Sequence, residues 1–365
     1  MKTILTEALE RRNVAQQEKP TSTDDAELEE ILKTLKVNIK IIGCGGAGSN
    51  TINRLVEAGV SGAEMFACNT DAKHLLAIHA PKKILIGRRS TKGLGAGAIP
   101  EVGEEAAKEA EDELKAVVKG ADIAFVTCGL GGGTGTGALP YIARHAKDAG
   151  ALTMAVVTLP FKSEGQVRMQ NAEYGLEKLA RICDTVIVIP NDKLLELVPK
   201  LPLDSAFRVA DEILMRSIKG ITEIITRPGL VNLDFNDLKT VVTDGGIAMV
   251  GIGESEEDNR AVEAVNEAIS SPLLDVDIGD AKGAMVCVTG GPDMTISEAE
   301  KVTEIIGSKI NPMARIIWGC IIDPTLERKI RVLLVLTGVK SKQMMGQKAV
   351  LRPMIRGDVG IEFIK

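Results

Sequence analysis

The stretch GLGGGTGTGALP, residues 129–140, holds six glycines and two threonines in twelve positions. Glycine gives up more conformational freedom on folding than any other residue, so such a run is unfavourable unless bare backbone is itself required. It follows ADIAFVTC (121–128), a short apolar run of strand formers, and leads into ALPYIARHAKDAG, whose apolar spacing is helical and whose last glycine marks a stop. The glycines therefore sit at a strand-to-helix turn. Backbone N–H groups converge there, and the helix that follows adds its own unpaired N–H groups and roughly half a positive charge. A phosphate chain is the natural occupant. Gly131, Gly132, Gly133 and Gly135 bring the backbone in, and Thr134 and Thr136 are expected to add hydroxyl donors. A loop that only lets a helix pack tightly on a sheet would explain one or two of these glycines.

A second loop, GCGGAGSN (43–50), ends an earlier apolar run, with Gly45, Gly46, Ala47, Gly48, Ser49 and Asn50 opening a helix and Asp71 some twenty residues on. Alone it fits the dinucleotide fingerprint of an NAD-dependent oxidoreductase. That reading leaves GGGTGTG without a purpose, whereas two converging loops suit a longer, more charged triphosphate. A third cluster, GLGAGAIP (93–100), with Gly95, Ala96 and Gly97, is placed to close over its far end. No G-x-x-x-x-G-K-[ST] occurs and the loops hold no lysine. Charge neutralisation is therefore assigned to Mg²⁺ rather than to a protein cation, and no metal cluster of protein ligands is expected.

Around these loops, apolar strands KIIGCG, AEMFACN, KKILIG, DIAFVTC, LTMAVVTLP and DTVIVIP alternate with helical segments, which predicts an α/β fold with a doubly wound, mostly parallel sheet over 37–202. A long helix is expected over 203–229, and a smaller α+β domain over 230–340. Residues 1–36 read as a charged extension containing a capped helix, TSTDDAELEEILKTL, and 341–365 as a flexible tail with an apolar end, DVGIEFIK. The chain of 365 residues carries a net charge of −6, which argues against nucleic acid as a partner. Neither a membrane span nor a signal peptide is legible, so a cytoplasmic location without direct membrane insertion is expected. The six cysteines lie mostly in apolar runs without a C-x-x-C pair and read as buried reduced thiols.

Phe207 and Asp211 are spaced i, i+4 on the long helix, where a ring can stack on a base and a carboxylate can accept from guanine N1–H and N2–H₂. A core aromatic and a solvated helix charge would give the same spacing. Glu164 and Arg168 form another i, i+4 pair, which by itself is a surface ion pair, at the start of a helix capped by Ser163 with Gln166 three residues on. Asn69 and Asp71 follow a strand and so lie at the carboxyl edge of the sheet, where nucleotides bind. In NLDFNDLKTVV (232–242), Asp234 reads as a helix N-cap with Asp237 one turn in. The two acids are also the best carboxylates for polarising a water.

The ordered series GCGGAGSN, NTDA, GLGAG, GGGTGTG, TLPF..EG..R, IPN, FRVAD and NLDF.D, spanning about 38–340, resembles the tubulin/FtsZ superfamily, and within it the archaeal-type FtsZ family of cell-division GTPases. The resemblance implies GTP and GDP as ligands with Mg²⁺, and a self-assembling head-to-tail homopolymer that forms a division ring at mid-cell. It places Glu164 and Arg168 at the sugar, Asn191 at the base, and Asn69 and Asp71 near the phosphates and metal. Asn232–Asp237 becomes the synergy loop, inserted into the next subunit's nucleotide site, with Asp234 and Asp237 orienting the attacking water and Asn232 holding the loop. A membrane adaptor or another division protein would bind the tail. Ile99 departs from the asparagine usual in GLGAGANP. The motifs leave open a related filament for cell shape; a nucleotide-binding regulator without hydrolysis is disfavoured by the two acids.

Overall fold

In the computed structural model, residues 37–197, 202–274 and 276–339 are described. The expected helix within 21–35 and the tail 341–365 lie outside them. One ten-stranded sheet runs through the described chain in the order β3-β2-β1-β4-β5-β6-β7-β10-β8-β9. The strands are β1 (Ile39–Cys44), β2 (Ala63–Asn69), β3 (Lys82–Leu85), β4 (Ile123–Gly129), β5 (Leu152–Leu159), β6 (Thr185–Pro190), β7 (Gly246–Ser255), β8 (Gly283–Gly290), β9 (Arg315–Ile322) and β10 (Ile330–Thr337). The first six pair in parallel, as helical crossovers require. Helices cover both faces, so the strands read as continuous apolar runs; every residue of β1 and β6 is buried.

The C-terminal strands do not form a separate sheet. β7 pairs in parallel with β6 through Thr185–Gly246, Val186–Ile247 and Ile187–Ala248, and only then does the ladder turn antiparallel at β10. Separate hydrophobic clusters nevertheless persist among the described residues. One holds Ile42, Phe66, Val126, Leu139 and Val157; another holds Met249, Val265, Val286, Val302 and Val332.

The central helix, Leu203–Thr226, runs between the two halves and buries Leu214, Ile218 and Ile221 at helical spacing. It stops at Thr226, short of the expected 229, because Pro228 biases the residue before it away from helix; Arg227 is extended at φ −99° and ψ 137°. At 24 residues it spans roughly 36 Å. Its first turns lie near the carboxyl edge of the parallel strands, where Phe207 meets Phe161 just after β5. Its end lies at the opposite edge, where a Cβ on Gly62, just before β2, would come within 2.8 Å of Thr226. All six cysteines are buried and free.

Candidate functional site

Two helices begin where β1 and β4 end: Gly45–Glu57 directly, and Thr134–Asp148 after a short turn. Neither has a side chain capping its N-terminus, which leaves first-turn N–H groups for another acceptor. The three glycine loops touch through their backbones. A Cβ on Gly45 would lie 2.9 Å from the Gly135 nitrogen, one on Gly129 2.9 Å from the Ala47 Cβ, and one on Gly133 2.8 Å from both the Ala96 Cβ and the Ile99 nitrogen. Gly48 packs on the strand carbonyl of Thr127, where a Cβ would sit at 2.4 Å. By contrast, the space over Gly46, Gly95, Gly97 and Gly132 is open to 4 Å. The first group lets the loops close on one another; the second presents bare backbone to open space. Gly131 combines a left-handed φ of 99° with a Cβ position 2.7 Å from the Arg168 carbonyl, so no other residue fits it.

The threonine hydroxyls, expected to face a phosphate, bind inside the protein. Thr136 Oγ1 accepts from the Gly131 N–H at 2.9 Å, and Thr134 Oγ1 shares a buried hydrogen bond of 2.6 Å with Thr70 Oγ1. Both therefore brace the loop. Asn171 adds a second brace, its Nδ2 donating to the Ala98 carbonyl at 3.1 Å and to the Gly131 carbonyl at 3.4 Å. Neither Thr70 nor Asn171 carried a role in the sequence reading, since each acts on a residue distant in the chain. Asn69 Oδ1 accepts from the Asp71 N–H at 3.3 Å, and its Nδ2 lies 3.3 Å from His74 Nδ1. Asp71 Oδ1 accepts from the His74 N–H at 3.0 Å, capping Ala72–Ala77. Ile99 is the N-cap of Pro100–Glu109, supplies no side-chain cap and is 51% exposed. Asn50 is half-buried in the second turn of its helix, beside Ser49.

Three buried polar atoms here have no hydrogen-bond partner: Ser49 Oγ on the first loop, Thr127 Oγ1 on β4 and Asn191 Oδ1 directly after β6. Burying such atoms unpaired is unfavourable. Phe207 is 37% exposed and packs edge-to-face on Phe161, centroids 5.1 Å apart. One turn on, the Asp211 side chain is only 15% exposed, with Arg54 Nε at 3.6 Å. Burial pushes its carboxyl up to about 6, and Arg54 holds it from going further.

Glu164 accepts from the Phe161 N–H at 2.8 Å through Oε1 and pairs with Arg168 Nε at 2.9 Å through Oε2. The ion pair forms as its spacing predicts, but the Ser163–Gln166 cap does not. Gly165, at φ 98° and ψ 161°, interrupts the chain in a conformation reserved for glycine, leaving Glu164 in a 3₁₀ turn and starting the helix at Gln166.

At the far end of the central helix, Asn232 Oδ1 accepts from the Gly229 N–H at 2.6 Å, and Val231 bridges to Cys320 of β9. Asp234 N-caps Phe235–Val242, its Oδ1 accepting from the Asp237 N–H at 2.7 Å. Asn232, Asp234 and Asp237 are all exposed. The length of the central helix separates them from the glycine loops of their own chain.

The family model described as tubulin/FtsZ family, GTPase domain, matches residues 38–199, and that of the FtsZ family, C-terminal domain, matches 246–340. The chain is 56% identical to cell division protein FtsZ 1 of Archaeoglobus fulgidus, with all of both chains covered. It is similar to the solved FtsZ dimer of M. jannaschii, at 55% identity and a TM-score of 0.84 over 87% of this chain and 93% of that one. A GTPγS-bound protofilament of CetZ2 from Haloferax volcanii gives 23% identity and a TM-score of 0.71 over 83% and 94%, a likeness of fold alone. With both family models matched in chain order across the glycine loops and the C-terminal sheet, the chain belongs to the FtsZ family of tubulin-like cell-division GTPases.

Proposed function

We propose that GTP lies along the carboxyl edge of the sheet, its phosphates held by backbone N–H groups of the three glycine loops and its base beside the central helix. The observation that carries this reading is the meeting of two uncapped helix N-termini beneath open backbone at Gly46 and Gly132. Asp211 accepts from guanine N1–H and N2–H₂ while Phe207 covers the ring; adenine, with an acceptor at N1, would leave the buried carboxylate unpaired. Asn191 meets the base through its unpartnered oxygen, and Glu164 and Arg168 meet the sugar. Mg²⁺ binds largely through substrate phosphates and water, with few protein ligands; Asn69 and Asp71 would hold it. It would neutralise phosphate charge.

Hydrolysis is completed by a second subunit. Asp234 and Asp237 of one chain orient and polarise the water that attacks the GTP of the next, and Asn232 keeps their segment folded against Gly229. Such a contact is heterologous and builds an open filament when its rotation does not close. Losing the γ-phosphate loosens the interface. The polymer forms the division ring at mid-cell, on the cytoplasmic side, and reaches the membrane through an adaptor; among the described residues no helix is long and apolar enough to cross one. GTP turnover per chain, measured against chain concentration with Mg²⁺ present, tests the reading. A threshold followed by a rise is expected. A constant nonzero rate would place catalysis inside one chain.

A further inference from the structure

A cavity of about 570 Å³ lies between the central helix and the β7 side of the C-terminal half, well inside the range of small-molecule sites. It is separate from the glycine loops. Arg208 and Arg216 line it from the central helix and Arg54 from the last turn of Gly45–Glu57. Val209, Ile213, Ile252 and Leu273 give it an apolar wall. The two lining acids are already engaged: Glu212 Oε1 lies 2.7 Å from Arg216 Nε, and Glu267 Oε2 accepts from the Glu254 N–H at 2.7 Å. Arg54 faces both ways. It lines the cavity, and its ion-pair partner among the described residues, Asp211, stands at 3.6 Å, beyond hydrogen-bond reach.

We propose that this cavity binds an amphipathic organic anion whose acidic head pairs with Arg54, and that this binding opposes guanine nucleotide binding at Asp211. The second half rests on the reading of Asp211 as the base acceptor. Drawing Arg54 toward the anion takes the counter-charge from a carboxylate that is 15% exposed. A buried carboxylate without its partner takes up a proton and stops accepting from the base. By linkage, bound nucleotide weakens the anion equally.

The test uses the full GDP-loaded chain and naphthalene-2-sulfonate, titrated by calorimetry. Wild type should bind the sulfonate, and Ser270→Glu at the exposed rim and Arg216→Ala in the wall should each weaken it on the order of tenfold. Saturating sulfonate should raise the Kd for GDP about fivefold or more. Binding that ignores both variants, or a GDP affinity that saturating sulfonate does not move, overturns the proposal. Circular dichroism of Ser270→Glu checks that its fold is intact. A GDP-to-IDP affinity ratio near one without sulfonate would instead refute the base reading, because IDP lacks the 2-amino group; the cavity is still decided by the variant dependence of sulfonate binding.

Discussion

The glycine loops and the Asn232–Asp237 segment stand at opposite ends of the central helix and are built in opposite ways. The loops are made rigid by long-range contacts: Gly45 against Gly135, Gly133 against Ala96 and Ile99, Thr70 on Thr134, Asn171 on Ala98 and Gly131. The acidic segment, tied to β9 through the bridge of Val231 to Cys320, is shaped by short-range bonds, Asn232 to Gly229 and Asp234 to Asp237, and its acids face outward. A cradle assembled from five parts of one chain can bind a ligand unaided. On the proposed reading, the exposed acids at the far end of the helix act on a substrate that another subunit brings.

The largest effect expected from breaking this division of labour is in Asp237→Ala. Phosphate release should fall by about 10²–10⁴-fold, the range of a positioned general base. Pelleting with GTP should be retained. Loss of both together would make the segment a structural part of the cradle's own subunit.

A contrast between two glycines sharpens the first half of the comparison. A Cβ on Gly137 would sit 1.9 Å from the Pro100 carbonyl, so Gly137→Ala should destabilise the chain by roughly 1–3 kcal/mol or more, read by thermal unfolding. Gly132→Ala meets open space and should leave the unfolding midpoint nearly unchanged while weakening GTP binding about tenfold. Equal effects on both quantities in both variants would erase the distinction between packing and ligand-facing glycines.

Asp211 predicts a pH dependence at the cradle end. Its folded carboxyl titrates at about 6, against an ordinary value of 3.8. The penalty for burying its charge is therefore absent below the ordinary value and fully present above about 6, so nucleotide-free stability should fall as pH rises through that window, by up to about 3 kcal/mol. GDP affinity should move the other way, weakening as pH drops below about 6 because the protonated acid no longer accepts. Asp211→Asn should remove this contribution from both profiles; profiles unchanged in that variant would assign the titration elsewhere. The smallest effect is expected from Arg168→Ala, since its partly exposed pair with Glu164 contributes no more than about 1 kcal/mol to stability.

The parallel half of the sheet was legible because strands buried on both faces write themselves as apolar runs, and the glycine loops because such runs of glycine have few other uses. Asp234's cap and the Glu164–Arg168 pair were legible as short-range spacings. What the sequence hid is what folding brings together. Thr70 and Thr134 are 64 positions apart, and Arg54 meets Asp211 only because two helices pack side by side. The β6–β7 junction was hidden for another reason: three paired residues join two cores that the chain writes as separate segments. The Ser163 cap failed because the dihedral angles of Gly165, not the residue types around it, decide where the helix begins.

The trans-acting site is tested most directly by mixing two chains that are each inactive alone. Asp237→Ala keeps the cradle and loses the acid; Gly132→Asp places a carboxylate in the cradle and keeps the acid. In an equimolar mixture, random head-to-tail pairing joins an intact cradle to an intact acid at about a quarter of the interfaces, so roughly a quarter of wild-type turnover should return. A mixture no more active than the sum of its parts would contradict an active site shared between subunits.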